Sequence, residues 1–196
     1  MIMRIPLVTL DTSCVISLLC LPDDSTPPDE LKALEEIQNW HMEGRIILMI
    51  SEKSRTESLM NLEKAHNLES SDRTRSKKWL QTIKILAGYE PVKGRWIIGM
   101  SRLGIDTVLG SDDEKQAYED MAQALYGKAP SSLKEGDAYD LAILFEHFIE
   151  KNDLFITRDA KSPMVRKKSE LERRLNIIVC NPIEAQKILN SLIHAG

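Results

Sequence analysis

The sequence is poor in cysteine, histidine and aromatic residues, and no apolar run in it is long. Its three cysteines, Cys14, Cys20 and Cys180, form no CxxC pair. An odd number without metal-ligand spacing fits buried thiols in a reducing compartment. The four histidines (His41, His66, His147, His194) form neither HxH nor HExxH, which sets aside a zinc hydrolase. The absence of a GxxxxGK run sets aside a P-loop NTPase. No uninterrupted apolar stretch approaches the roughly 18 residues of a membrane span. The apolar stretch after Arg4 is interrupted by Asp11 and ends without a clean small-residue cleavage site. It does not read as a signal peptide, and a cytoplasmic protein is expected. Aromatic residues are only 5% of the chain. Trp79 falls on an apolar helix face, while Trp40, Tyr89 and Trp96 are candidates for exposure but form no stacking row. Positive charge is also lacking: the formal net charge is -4, so any polyanion must be held by local basic patches.

What is present is ordinary soluble material: 196 residues, 42% hydrophobic and 29% charged. That length allows a single domain, residues 1–196, with a substantial core. Short apolar runs at residues 5–10, 45–50, 154–157 and 177–180 read as buried strands. Helical periodicity covers 12–21, 29–43, 51–66, 72–87, 112–126, 136–150 and 159–175, and a last helix opens at Asn181-Pro182. Glycines punctuate 88–130, which reads as an elaborated insertion with a short strand at 95–100. Strands that alternate with helices and lack an in-out pattern predict an α/β fold. It should have three α/β/α layers around a parallel sheet of about four to five strands.

In such folds ligands bind beyond the carboxyl ends of the strands, so acids there carry the argument. Asp11 follows the first strand, Asp159 follows the strand at 154–157, and Asp137 opens the helix before that strand. Glu57 lies six residues after Ser51, about 9 Å along a helix at ~1.5 Å per residue. Helical side chains lean toward the N-terminus, so a glutamate there reaches back to the strand ends. Four converging carboxylates repel one another unless a cation compensates them. Mg²⁺ or Mn²⁺ does so with hard oxygen ligands and can promote in-line displacement at a phosphodiester. Taken singly, Asp11, Asp137 and Asp159 each occupy a place where a helix N-cap is expected, and Glu57 reads as an exposed helix residue.

Together these residues resemble the PIN domain, a family of metal-dependent ribonucleases. Val8-Thr9-Leu10-Asp11-Thr12-Ser13 looks like its first motif, and Ile50 through Leu59 looks like its second, with the acid at Glu57. Asp137-Ala138-Tyr139-Asp140-Leu141-Ala142 is similar to its third, and Phe155-Ile156-Thr157-Arg158-Asp159 to its fourth. The resemblance spans roughly residues 5 to 180. It implies an endoribonuclease whose metal ligands are Asp11, Glu57, Asp137 and Asp159, with Thr157 and Ser13 orienting them or a water. Asp140, one turn after Asp137 on the same helix face, is a candidate fifth acid. The stretch 88–130 makes the chain longer than small toxin members of that family.

Two regions carry local positive charge. Residues 72–95 hold seven lysines or arginines against two acids, and residues 158–174 hold seven against three. The second region begins beside Asp159, so Arg158, Lys161, Arg166, Lys167 and Lys168 are candidates for RNA phosphate contacts. The expected partner is RNA, with an antitoxin-like protein or a second copy as further candidates and no membrane. The chief alternative is a silent binding module of the same fold. A haloacid-type phosphatase wants an aspartate two residues after the first, where this chain has Ser13.

Overall fold

The computed structural model describes residues 4–18, 26–51, 54, 90–92 and 111–194. Expected helices at 51–66 (beyond its start) and 72–87, the expected strand at 95–100, and Glu57 lie outside them.

Among the described residues, five short strands build one parallel sheet: β1 (Leu7–Leu10), β2 (Ile47–Ser51), β3 (Glu90–Val92), β4 (Leu154–Ile156) and β5 (Val179–Cys180). Their order is β3-β2-β1-β4-β5. Val8 pairs with Leu48 on one side and Leu154 on the other, which makes β1 the central strand. Among the described residues, Glu90, Pro91 and Val92 form the last strand on that side, a position where a proline is tolerated because the edge ladder is incomplete.

Seven helices are described: α1 (Thr12–Leu18), α2 (Pro28–Met42), α3 (Asp112–Tyr126), α4 (Glu135–Ile149), α5 (Pro163–Arg166), α6 (Lys168–Leu175) and α7 (Pro182–His194). Each boundary has a local cause. Pro28 opens α2 at a position where no N–H is needed. Ser111 caps α3 by accepting from Glu114 N, and Gly127, in the left-handed region, closes it. Asn181 Oδ1 accepts from Glu184 N while Glu184 Oε2 accepts from Asn181 N, a reciprocal capping box that starts α7.

The single polar helix expected over 159–175 is corrected to a loop followed by two helices. Ser162 caps α5 through Met164 N with Pro163 at its first position, and the chain turns again at Lys167 before α6. Proline cannot sit inside a helix without losing a hydrogen bond, so the helix starts there and not at Asp159.

Strand alternation divides the interior into two cores, one on each face of the sheet. Val8, Leu10, Leu48, Ile50, Leu154 and Ile156 pack against α1, α2 and α7. Phe155 and Val179 point the other way, against α3, α4, α5 and α6. Burying each large side chain contributes about 1.5–3 kcal/mol. This is the expected three-layer α/β/α arrangement. Trp40, a candidate for exposure in the sequence, is buried at 6% exposure in the first core. It stands three residues after Ile37, on the same apolar stripe of α2.

Candidate functional site

The chain leaves β1 in one direction, toward β2 and β3, and returns to the other side of β1 as β4. The β1–β4 boundary is therefore a topological switch point, and the crevice above its carboxyl ends is where such sheets bind ligands. Asp11 and the run Thr157-Arg158-Asp159 stand there. The ladder continues one residue past each strand, since Asp11 N donates to Ile156 O at 2.9 Å and Thr157 N donates to Cys180 O at 3.1 Å. Alternation then turns Asp11 and Thr157 toward the α4 face, opposite Leu10 and Ile156.

The Asp11 carboxylate is held by two hydroxyls on one oxygen. Thr157 Oγ1 donates to Oδ2 at 2.7 Å and Ser13 Oγ donates to the same atom at 2.8 Å. Among the described residues, Oδ1 accepts no hydrogen bond. Asp11 also occupies the N-cap position of α1, but its backbone carbonyl, not its side chain, accepts from Cys14 N and Val15 N. The carboxylate is therefore not used as a helix cap.

Asp159 is also free of that role. Its Oδ1 accepts from Lys161 N at 2.9 Å, closing a turn, while Ser162 caps the following helix. Asp159 N donates to Thr157 Oγ1 at 3.2 Å, so one hydroxyl links the loop to Asp11. Asp137 falls at the third position of α4, not at its cap, because the helix begins at Glu135. The link from α4 to β4 lies at the amino end of the sheet, where Asp153 N donates to Leu7 O at 2.7 Å. The first turn of α4, with Asp137, is consequently at the carboxyl end, as Asp11 is. Asp137 and Asp140 both act on Tyr126 at the end of α3. Burial raises the Tyr126 phenol pKa, and the charges of Asp140 and then Asp137 raise it further. The Tyr126 hydroxyl is buried without a hydrogen-bond partner.

Among the described residues, no three His, Cys, Asp or Glu side chains form a group close enough to hold a metal ion. The structure thus joins Asp11, Ser13, Thr157 and the Asp159 backbone, and joins Asp137, Asp140 and Tyr126, without uniting the carboxylates. Glu57 lies outside the described residues. Ser51, which precedes it, is the expected cap: its Oγ accepts from Ser54 N at 2.9 Å. The donor chemistry fits Mg²⁺ or Mn²⁺, because every candidate ligand is a hard oxygen. Asp11 fits best, with its second oxygen open and its first oriented by hydroxyls as metal-ligating carboxylates commonly are.

Among the described residues, the two thiols and the core imidazole are locked in unreactive forms. Burial pushes the Cys180 thiol up to about 12, and burial and then Asp11 push Cys14 well above its ordinary value. Burial pulls His147 down to about 3, so it is neutral at physiological pH. A cavity of ≈ 540 Å³ lined by Arg4, Asn152, Asp153 and Leu192 opens at the amino end of the sheet, away from the acids.

The basic candidates differ in availability. Lys161 and Arg166 are exposed without an ion pair among the described residues. Lys167 pairs with Glu170 at 3.5 Å and Lys168 with Glu184 at 3.0 Å, both solvent-accessible. Such pairs contribute little and yield readily to a phosphate. Arg158 is turned inward onto Glu30 at 3.0 Å and also donates to Ser17 Oγ. Glu30, Ser17 and Tyr126 were not legible as site residues. Glu30 is 128 positions from Arg158, and no spacing rule connects them.

Compared with family models, with curated proteins and with solved structures, the chain gives no match in any of the three.

Proposed function

We propose that the protein is a metal-dependent endoribonuclease of the PIN type. The observation that supports this most is the Asp11 carboxylate. It stands at the switch point of the sheet, does no capping, and is fixed through one oxygen by Ser13 and Thr157 with the other left open. Asp137 and Asp159 stand at the same end of the sheet, and Glu57 is the remaining ligand by motif. When bound, Mg²⁺ or Mn²⁺ would supply Lewis-acid charge and a water of lowered pKa.

The chain's own residues would do the rest. Asp11 holds its donor oxygen in a set direction, and Thr157 and Ser13 keep that carboxylate from rotating. Lys161, Arg166, Lys167 and Lys168 would take the phosphate backbone beside it. Whether such an enzyme is a toxin restrained by an antitoxin-like protein or an RNA-processing nuclease is a choice of partner, not of site.

The test is cleavage of a labelled RNA with Mn²⁺, with chelator, and with the Asp11→Asn and Asp137→Asn proteins. Activity should need the ion and drop at least a hundredfold in either variant. Equal cutting by parent and variants would sink the proposal. A second reading, a non-catalytic RNA- or protein-binding module, is favoured by the lack of a three-ligand group among the described residues. Calorimetric titration with Mn²⁺ separates the two, since the module should take up no ion that Asp11→Asn abolishes.

A further inference from the structure

Arg158 lies between Thr157 and Asp159, among the cations a charge count assigns to RNA. Its geometry points elsewhere. Its Nε donates to Glu30 Oε2 at 3.0 Å, Nη1 donates to Ser17 Oγ, and its backbone N–H donates to Ser13 Oγ at 3.1 Å. Its side chain is 11% exposed and that of Glu30 21%. A guanidinium has five donors in a rigid fork, and this one is directed at α1 and α2 and not at solvent.

The contacts run on to the carboxylate. Ser13 has one hydroxyl proton. Ser13 Oγ accepts from Arg158 N and donates its own proton to the Asp11 carboxylate oxygen Oδ2, 2.8 Å away. Ser17 Oγ in turn donates to Ser13 O at 2.9 Å, which ties the same turn of α1 to the guanidinium. A shift of the loop that carries Arg158 would thus move both hydroxyls that orient Asp11. Removing either member of this partly buried pair removes a tie between the loop and α2, so the loop would hold its place less firmly.

We propose that Arg158 and Glu30 are a positioning pair: they lock the Thr157–Asp159 loop onto α1 and α2, set the direction of the Asp11 carboxylate, and leave substrate phosphates to other cations. The proposal rests on the nuclease reading of Asp11.

The sign of the Glu30→Gln effect decides it. If Arg158 bound phosphate, loss of the Glu30 carboxylate would remove a competitor for it, and RNA binding and cleavage would hold or improve. For a positioning pair, Glu30→Gln weakens Mn²⁺ affinity or the single-turnover rate by about 10- to 100-fold, with RNA affinity unchanged. Arg158→Lys, which keeps the charge and loses the fork, should show the same loss. Arg158→Gln should leave the salt dependence of RNA binding unchanged, whereas loss of one phosphate contact lowers the log–log slope by about 0.7 on single strands.

Mn²⁺ affinity is read on the folded protein, with melting followed in parallel. A lowered melting temperature with parental Mn²⁺ affinity and rate overturns the proposal, as does a slope reduced by one contact. A parent that binds no Mn²⁺, matching Asp11→Asn, overturns the nuclease reading and this inference together. A parent that binds while Glu30→Gln equals it overturns this inference alone.

Discussion

Among the described residues, two buried threonines each hold a polar cluster, and they hold opposite kinds of partner. Thr9, inside β1, meets His147 Nδ1 at 2.8 Å and accepts from Asn152 Nδ2 at 2.8 Å. The Thr9 hydroxyl thus joins a buried imidazole to a buried amide. Thr157, just past β4, donates to Asp11 Oδ2 and accepts from Asp159 N. Both side chains point toward the α4 face. The first cluster lies under α4, where burial keeps every member neutral and the ring of His147 meets Phe155 edge-on at 5.5 Å. The second lies at the open strand ends, where a carboxylate can stay charged. The same hydroxyl therefore serves stability in one place and the aim of a charged group in the other. Depth beneath the helix layer makes the difference, because an ion is tolerated only where water or a counter-charge reaches it.

The contrast can be broken by one substitution made twice. Thr9→Val leaves a buried amide and a buried imidazole without their partner. It should lower unfolding free energy by about 3 kcal/mol, with cleavage unchanged at temperatures where the protein is folded. Urea unfolding beside an RNA cleavage assay measures both. Thr157→Val should do the reverse, reducing Mn²⁺ affinity or cleavage by about 10- to 100-fold with a smaller stability loss of about 1 kcal/mol. If the two variants behaved alike, the distinction between the clusters would fall.

A pH titration sharpens the comparison further. His147 is held neutral in the fold down to about pH 3, while an unfolded histidine takes a proton near 6.5. Between those values the unfolded state binds the extra proton, so stability falls as pH falls. The loss from this residue is on the order of 1 kcal/mol per pH unit. His147→Asn keeps a polar atom near Thr9 but cannot titrate. Its unfolding free energy should start lower at pH 7 and lose that slope between pH 6 and 4. The smallest effect is expected at Tyr126, whose buried hydroxyl has no partner. Tyr126→Phe removes an unsatisfied group, so melting should stay level or rise by an amount equivalent to about 1 kcal/mol or less. A clear fall would mean that the hydroxyl is hydrogen-bonded in solution.

Much of this architecture was legible residue by residue. Helix α3 was expected over 112–126 and spans Asp112–Tyr126, because Ser111 and Gly127 are local stop signals that act without tertiary help. The capping box of α7 and the strand ends at Asp11 and Thr157 were equally local. The helix expected over 159–175 is broken because Pro163 has no N–H to give an interior helix position, so Ser162 and Pro163 start a new helix. The burial of Trp40 is not legible, because a lone aromatic near a helix end carries no mark of what will cover it. The edge strand Glu90–Val92 lies in a stretch too short and too mixed to show periodicity.

By itself, the sequence determined the number and kind of acids, the sheet-and-helix alternation, and the placement of Asp11, Asp137 and Asp159 at element ends. Those follow from apolar runs, caps and breakers, which act over a few residues. Only the tertiary structure decided that β4 lies beside β1, bringing Thr157 within hydrogen-bond distance of an aspartate 146 positions away. It alone turned Arg158 onto Glu30 and away from solvent. Strand order and charge pairing arise from burial of two separate cores and from desolvation of the groups between them. Neither leaves a pattern along the chain.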